Sequence, residues 1–263
     1  GAKDGLVFST QACLFDPQVL ACSGAKAANC LSGDQVAAVK KVMAGPVATD
    51  GRQVYPGYLY DTGLNNTRGL PGVLVGPVIP EGPAPGVTMD VDAQEALAHD
   101  GRAMAGDTNG WTNLASFKGR GGKLIFFHGI SDPWFSALDT VQYYQRLAPA
   151  NAPTPLRDWS RLFLVPGMGH CAGGERTLDR FDMVDAIVNW VENGQAPERV
   201  VATGASMPGE SRPLCPFPAH PPVRCLARPR RRTGFQSRRR ARGHHARVAH
   251  VRRVRARDDA DSR

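Results

Sequence analysis

Long hydrophobic runs are missing from this 263-residue sequence. No apolar stretch approaches the roughly 20 residues that a membrane-spanning helix needs, so we expect no segment that crosses a bilayer. A starting Met and a charged-then-apolar leader are also missing, so no signal peptide is visible. Hydrophobic residues nevertheless make up 42 % of the chain, which is enough for a packed core and excludes disorder throughout.

Cysteine is sparse, with six residues in the whole chain. That density does not match a small extracellular scaffold that depends on many disulfides. Taken one at a time, each cysteine could equally be a buried reduced thiol, and the residues by themselves leave this alternative open.

Lysine is absent from residues 219–263, whereas arginine is abundant there. This segment contains 15 Arg and 3 Asp and has a net charge of +12, while residues 1–218 have a net charge of −4. The formal charge of +8 is therefore the sum of two unlike segments. The tail has a single aromatic residue, Phe235, and no apolar periodicity, so we predict that it is disordered.

Two interpretations of the tail stay open. An arginine arm could bind nucleic acid or another polyanion, which would make the protein a non-catalytic binding protein. Alternatively, arginine, alanine, histidine, proline and valine without lysine are what a GC-rich coding region gives in the wrong frame, as in the inert product of a disrupted gene. We favour the second interpretation, because a block of charge is a weak indication of binding, and we do not expect a nucleic-acid partner.

The remaining residues divide into two kinds of sequence. Residues 1–115 are rich in loops, with proline and glycine crowded into residues 71–86 and a helix predicted at Gln35–Met43 behind Ser32 or Asp34 as N-cap. Residues 116–205 instead alternate buried strands and helices, which predicts part of an α/β layered domain. The predicted order is strand Lys123–His128, helix Leu138–Leu147, strand Arg161–Val165 and a helix with an apolar stripe at Phe181–Val191, ended by Gly194.

Polar residues follow both predicted strands, where functional loops of α/β sheets gather. Asp132 follows the first strand and His170 the second, which is the order Asp…His that completes a Ser…Asp…His triad in α/β hydrolases. Histidine can move a proton near neutral pH, and aspartate fixes its tautomer and stabilises the imidazolium. Alone, Asp132 before Pro133 could be only a turn former, and His170 a solvated loop residue. We interpret His128 as a strand-end residue without a catalytic role.

Three segments make the sequence recognisable. The stretches GGKLIFFHGISDPWFS (121–136), PGMGHCAGG (166–174) and AIVNWVENGQAPERVVAT (186–203) resemble the C-terminal part of the tannase/feruloyl esterase family. Members of that family are secreted serine esterases with an α/β-hydrolase domain and a large inserted lid. The resemblance covers residues 1–218. It implies a lid segment at 1–115 and the C-terminal part of an α/β-hydrolase fold at 116–218, before the disordered tail.

The resemblance assigns Asp132 and His170 to the catalytic triad, but the family's nucleophilic serine is not found. That serine stands in a Cys-Ser-x-Gly-Gly turn before the lid, and no Gly-x-Ser-x-Gly occurs here. Cys22-Ser23-Gly24 is only a superficial match, because it lacks the second glycine and a preceding buried strand. We therefore expect a C-terminal fragment that lacks the nucleophile and the oxyanion-hole donors, needs the missing N-terminal part as partner, and is inactive alone.

The resemblance also implies a structural calcium ion in the lid. It assigns Asp4 as a carboxylate ligand and Ala2 and Leu6 as carbonyl ligands, a set of hard oxygen donors that suits calcium. Two further aspartates would precede Gly1, so we expect weak binding here. From spacing alone, Asp4-Gly5 is equally an ordinary turn.

The family pattern implies disulfides for cysteines whose state the sequence alone leaves open. It pairs Cys22 with Cys30 inside the lid, and Cys171 with a cysteine beside the absent serine. It pairs Cys13 with a cysteine upstream of Gly1 and Cys215 with one farther along the natural C-terminus, and Cys225 is a doubtful partner. We expect four of the six cysteines to lack their partner in this chain.

The implied activity is hydrolysis of aromatic esters, hydroxycinnamoyl or galloyl, through an acyl-serine. Trp134 and Phe135 directly follow Asp132-Pro133, so they are the candidate substrate contacts. The alternative, that these aromatic side chains only pack the lid against the domain below, stays open. A secreted or periplasmic location follows from the same resemblance.

Overall fold

The computed structural model of the chain describes residues 5–9, 13–61, 90–101, 104 and 107–219. All of them belong to one compact unit, residues 1–227, and a second unit comprises residues 228–263. The proline- and glycine-rich stretch 71–86 and all of the arginine-rich tail after Ala219 lie outside the described residues, so the predictions for them are untested. In the part that is described, no helix is long and apolar enough to cross a membrane.

The described elements follow the predicted order. The strands are β1 (Leu124–Gly129), β2 (Ser160–Val165), β3 (Val200–Thr203) and β4 (Ser211–Leu214). The α-helices are α1 (Gly33–Ala44), α2 (Val91–Ala98), α3 (Ala115–Gly119), α4 (Ala137–Ala150) and α5 (Met183–Asn193). Single 3₁₀ turns lie at Pro17–Leu20, Thr108–Gly110 and Leu156–Asp158.

The strand–helix–strand–helix prediction for residues 116–205 is confirmed by β1, α4, β2 and α5. Strands β1 and β2 pair in parallel, with Leu124 opposite Ser160 and Gly129 opposite Val165, so both strands end at the same edge. A second pair, β3 and β4, is antiparallel and was not predicted. The parallel pair matters for function because its carboxyl ends place two loops side by side.

Strand β2 separates two hydrophobic clusters, because successive side chains of a strand point to opposite faces. On one face, Leu162 packs with residues of α4, whose buried positions Val141, Tyr144 and Leu147 follow helical spacing. The opposite face joins a cluster formed by Leu6, Phe163, Val165, Met168, Leu178, Val200, Ala202, Met207 and Leu214. Burial on both faces agrees with the apolar run at residues 162–165 of β2.

Helix ends agree with the capping signals. The Ser32 side chain accepts from the Gln35 amide, and the Gln35 side chain accepts from the Ser32 amide, so the capping box selects Ser32 over Asp34 as the N-cap of α1. Helix α5 begins after Asp182, whose side chain accepts from the Asp185 amide, and ends at the left-handed Gly194 as predicted.

The apolar stripe predicted for α5 is buried only in part. Phe181 and Ile187 are half-buried, whereas Val184, Val188 and Val191 are exposed. Trp190, which lies outside the predicted stripe, is almost fully buried. The Arg161 guanidinium of β2 lies 4.8 Å from the centre of the Trp190 ring, so α5 turns its largest aromatic side chain toward the sheet. Trp190 can bury more apolar area than a valine, which explains why Trp190 rather than the valines of this helix faces the sheet.

Candidate active site

The loops after β1 and β2 form one connected structure. The Ile130 amide donates to the Val165 carbonyl over 2.9 Å, and the Ser131 amide donates to the Met168 carbonyl over 3.0 Å. These bonds continue the parallel pairing beyond the strands and bring the two loops into contact.

Gly129 permits that contact. A Cβ atom at this position would lie 2.3 Å from the carbonyl oxygens of Met168 and Gly169, a distance that real Cβ atoms do not reach. The backbone of the second loop therefore occupies the space that any other side chain would need.

Asp132 and His170, predicted from their positions after the two strands, lie next to each other. The His170 Nδ1 atom lies 2.8 Å from the Asp132 Oδ2 atom. The Asp132 residue is only 5 % exposed, whereas 42 % of the His170 side chain is exposed. A buried carboxylate thus orients an imidazole whose far edge reaches the surface.

The Asp132 carboxylate is surrounded by donors. Its Oδ1 atom accepts from the backbone amides of Trp134 and Phe135, at 2.8 and 3.1 Å. Burial alone would raise the pKa of Asp132, but hydrogen bonds from His128, His170 and the two amides outweigh it and lower that pKa from 3.8 to about 2. Asp132 is therefore charged at neutral pH.

His128 also contacts this carboxylate, which the sequence did not indicate. Its Nε2 atom lies 3.4 Å from the Asp132 Oδ2 atom and 3.0 Å from the Phe135 carbonyl oxygen, and its Nδ1 atom lies 2.7 Å from Thr140 Oγ1. Two acceptors at Nε2 imply that the proton is on Nε2 and that Nδ1 accepts from the Thr140 hydroxyl. His128 is a strand-end residue, as interpreted, but it joins the hydrogen-bond network of Asp132.

The His170 ring is held in an orientation suited to base catalysis. Because Nδ1 donates to Asp132, the neutral ring carries its lone pair on Nε2. Trp134 stacks on the ring, with centroids 5.5 Å apart and an angle of 10°, and Phe135 lies 5.4 Å away. The ring therefore has its proton acceptor on the edge opposite Asp132, between two aromatic neighbours.

The loop turns sharply just after His170. Cys171 has a φ of +63°, and the Ala172 amide donates to the His170 carbonyl over 2.8 Å, which makes a tight γ-turn around a residue that is not glycine. Such backbone strain is found often at functional sites.

Comparison with known proteins assigns the family. The sequence profile described as "Tannase and feruloyl esterase" matches residues 88–227, just over half of the chain. The chain belongs to the tannase/feruloyl esterase family. The resemblance found in the sequence is therefore confirmed at the level of the family.

Relatives of this tannase-family chain are named as esterases or hydrolases. It is 37 % identical over 278 residues to mono(2-hydroxyethyl) terephthalate hydrolase of Piscinibacter sakaiensis, covering 83 % of this chain and 45 % of that protein. It is 28 % identical over 256 residues to probable feruloyl esterase B of Aspergillus niger, covering 84 % and 47 %. The chain thus spans about half the length of the curated relatives it matches.

Solved structures support the fold. An esterase from Aspergillus oryzae superposes with a TM-score of 0.64 at 24 % identity, covering 86 % of this chain and 51 % of that one. Feruloyl esterase B from Aspergillus oryzae gives 0.62 at 24 % identity, with 84 % and 49 % covered. The α/β arrangement of this tannase-family chain therefore agrees with the fold of known esterases.

Ser23 does not take the place of a nucleophile in the described structure. It is exposed in the turn between Cys22 and Cys30. Among the described residues, no serine or cysteine makes a hydrogen bond to the Nε2 atom of His170.

The cysteines agree only in part with the pairing that the tannase family implied. Cys22 and Cys30 form a disulfide. Cys13 and Cys171 are free and exposed. Cys215 is disulfide-bonded in this chain, so the expectation that it lacks a partner here is wrong.

The calcium prediction falls mostly on residues that are not described. Asp4 and Ala2 lie outside the described residues, and the Leu6 side chain is buried in the hydrophobic cluster around β2. Within the described residues, no group of three or more His, Cys, Asp or Glu side chains could hold a metal ion.

The predicted substrate contacts border a cavity. Trp134 and Phe135 are 64 % and 54 % exposed and line a cavity of about 700 Å³ together with Tyr55 and Asp139. Burial raises the pKa of Tyr55 to about 12 and raises that of Asp139. The tyrosine hydroxyl is therefore protonated at neutral pH and can donate a hydrogen bond.

Proposed function

We propose that this chain supplies the Asp132–His170 half of the active site of a carboxylic ester hydrolase that acts through a serine nucleophile. The observation that carries the proposal is the 2.8 Å hydrogen bond between a buried, charged carboxylate and a partly exposed imidazole. Relatives named as hydrolases and feruloyl esterases support the same activity.

In this proposal, the nucleophilic serine belongs to a segment that precedes this chain in a longer protein, here called the extended protein. The Nε2 atom of His170 takes the proton of the serine hydroxyl as the serine oxygen bonds to the ester carbonyl carbon. The Asp132 carboxylate stabilises the imidazolium, which then gives its proton to the departing alcohol. Water, deprotonated by the same Nε2 atom, hydrolyses the acyl-serine and restores the free enzyme.

The proposed substrate is an aromatic ester. The exposed faces of Trp134 and Phe135 flank His170 and provide apolar surface for an aryl acyl group. We further propose that residues 1–115 belong to the lid and residues 116–218 to the hydrolase domain. Calcium binding near Asp4 and secretion of the extended protein are part of the same proposal.

Replacement of His170 by alanine tests the mechanism. We expect His170→Ala in the extended protein to lower kcat for a chromogenic aryl ester by about 10⁴-fold or more, because the proton acceptor is lost. His99→Ala is the matched control, since His99 ends α2 and its ring bonds to the Glu95 carbonyl of that helix. Turnover retained by His170→Ala would contradict the proposal.

A further inference from the structure

Asp61 is a buried carboxylate that contacts both loops of the candidate site. It is 8 % exposed. Its Oδ2 atom accepts from the Ser131 hydroxyl over 2.8 Å and from the Gly167 amide over 2.7 Å. Ser131 directly precedes Asp132, and Gly167 lies three residues before His170, so one oxygen atom holds both loops.

The second oxygen of Asp61 is buried and has no hydrogen-bond partner among the residues that the structure describes. Burying a carboxylate oxygen without a donor is unfavourable, and most buried polar atoms in proteins are paired. Two charge-assisted bonds to the loops are therefore what retains this group in the interior.

The residues before Asp61 contact the same region. The Tyr55 hydroxyl oxygen accepts from the Ser136 amide over 3.0 Å, and the Gly57 carbonyl accepts from the Ser136 hydroxyl. The Tyr58 amide donates to the Met43 carbonyl at the end of α1. Residues 55–61, here called the brace segment, thus link α1 to the loop after β1, and through Asp61 to the loop after β2.

We propose that Asp61 is a positioning residue that fixes the separation of the two loops and so keeps His170 Nδ1 within hydrogen-bond reach of Asp132. The inference rests on the proposed function for its kinetic consequence, but not for its structural one. Asp61 acts through Ser131 and Gly167, so its loss lowers kcat by misorienting the imidazole rather than by weakening substrate binding.

The structural consequence can be measured in the 263-residue chain without any substrate. Long-range ¹H–¹⁵N NMR distinguishes a ring protonated at Nδ1 from one protonated at Nε2. We expect the Nδ1–H tautomer for His170 in the natural chain and a mixture of both tautomers in Asp61→Ala, because the partner of Nδ1 decides which nitrogen is protonated. An unchanged tautomer in Asp61→Ala would overturn the proposal.

The kinetic consequence is measured in the extended protein. Asp61→Ala is expected to lower kcat at least about tenfold while KM stays within about twofold. Asp61→Asn keeps the shape of the side chain but removes its negative charge. The kcat of this variant should therefore lie between that of the unchanged extended protein and that of Asp61→Ala. Asp50→Ala, which removes an exposed aspartate ahead of the brace segment, is the matched control and should keep full turnover.

Ser131→Ala makes the test independent of whether Asp61→Ala folds. It removes one donor to Asp61 and should produce part of the same kcat loss. The kcat of the double variant Asp61→Ala, Ser131→Ala should then be no lower than that of Asp61→Ala alone, because each substitution removes the same hydrogen bond between Ser131 and Asp61. Additive losses, or full kcat in every Asp61 variant, would refute the positioning role. Turnover retained by His170→Ala would instead refute the proposed function and leave the tautomer measurement to decide on Asp61.

Discussion

Asp132 shows how one buried carboxylate can stay charged beside two imidazoles. Removal from water favours its neutral form, but four hydrogen-bond donors favour the charged form and decide the balance. A carboxylate held in this way keeps its negative charge beside the His170 ring at all pH values well above its lowered pKa of about 2.

The low pKa of Asp132 predicts how stability depends on pH. Its folded-state pKa of about 2 lies below the ordinary value of 3.8, so Asp132 stabilises the fold above about pH 4 and loses this contribution as the pH falls toward 2. We expect the difference in unfolding free energy between the natural chain and Asp132→Asn to shrink by about 2 kcal/mol over that interval.

Urea unfolding at several pH values between 5 and about 2 measures this difference. Asp158→Asn serves as the control, because Asp158 is exposed and distant in sequence from the site. A difference for Asp132→Asn that stays constant with pH would contradict the expectation.

Some residues of the site were predicted from the sequence and others were not. Asp132 and His170 were predicted because each follows a strand in a recognisable motif. Asp61 was not, since it lies 70 and 106 residues from its partners Ser131 and Gly167 in a stretch without a motif. The contact of His128 with Asp132 was missed as well, because it depends on how the loop folds back over the strand end.

Helix α4 packs against the sheet, and its first turn also contacts the brace segment. Its N-cap, Ser136, is almost fully buried, and its hydroxyl accepts from the Leu138 amide and donates to the Gly57 carbonyl. The same residue donates its amide to the Tyr55 hydroxyl. The start of α4 is therefore also where the brace segment docks.

Loss of the Ser136 side chain should cost more stability than loss of an ordinary N-cap. Ser136→Ala leaves the half-buried Gly57 carbonyl and Leu138 amide without the partner that the hydroxyl provides, so we expect a destabilisation of about 2 kcal/mol. Ser32→Ala removes the N-cap of α1, whose hydroxyl accepts from the Gln35 amide, and should cost about 1 kcal/mol.

Chemical denaturation of the two variants beside the natural chain gives both values. Equal destabilisation by Ser136→Ala and Ser32→Ala would mean that the contact with Gly57 adds nothing. A larger loss for Ser136→Ala supports the docking of the brace segment at this helix.

Two features concern the whole molecule: the uneven distribution of charge along the chain, and the share of its relatives' length that the chain covers. The described residues lie in one compact unit, and the excess of arginine lies beyond Ala219. The chain covers about half of its relatives, so the serine that the mechanism needs belongs, in our proposal, to another part of the extended protein.

The arginine-rich tail predicts only weak, salt-sensitive contact with DNA. Its net charge of +12 should retain the chain on a DNA column at about 50 mM salt and release it by about 200 mM, because non-specific phosphate contacts weaken steeply with salt. A chain that ends at Pro218 is the control and should not be retained at either concentration. Retention of the full chain above about 200 mM salt would favour the polyanion-binding alternative.

The family, the order of β1, α4, β2 and α5, and the places of Asp132 and His170 after the two strands were predicted from the sequence, because strands, helix caps and strand-end motifs depend on residues close together in the chain. The fold was needed to show that Trp190 is the buried residue of α5, that His128 contacts the Asp132 carboxylate, and that Asp61 joins both loops. Those features arise from contacts between residues far apart in the chain, where packing and the pairing of buried polar groups select the partners.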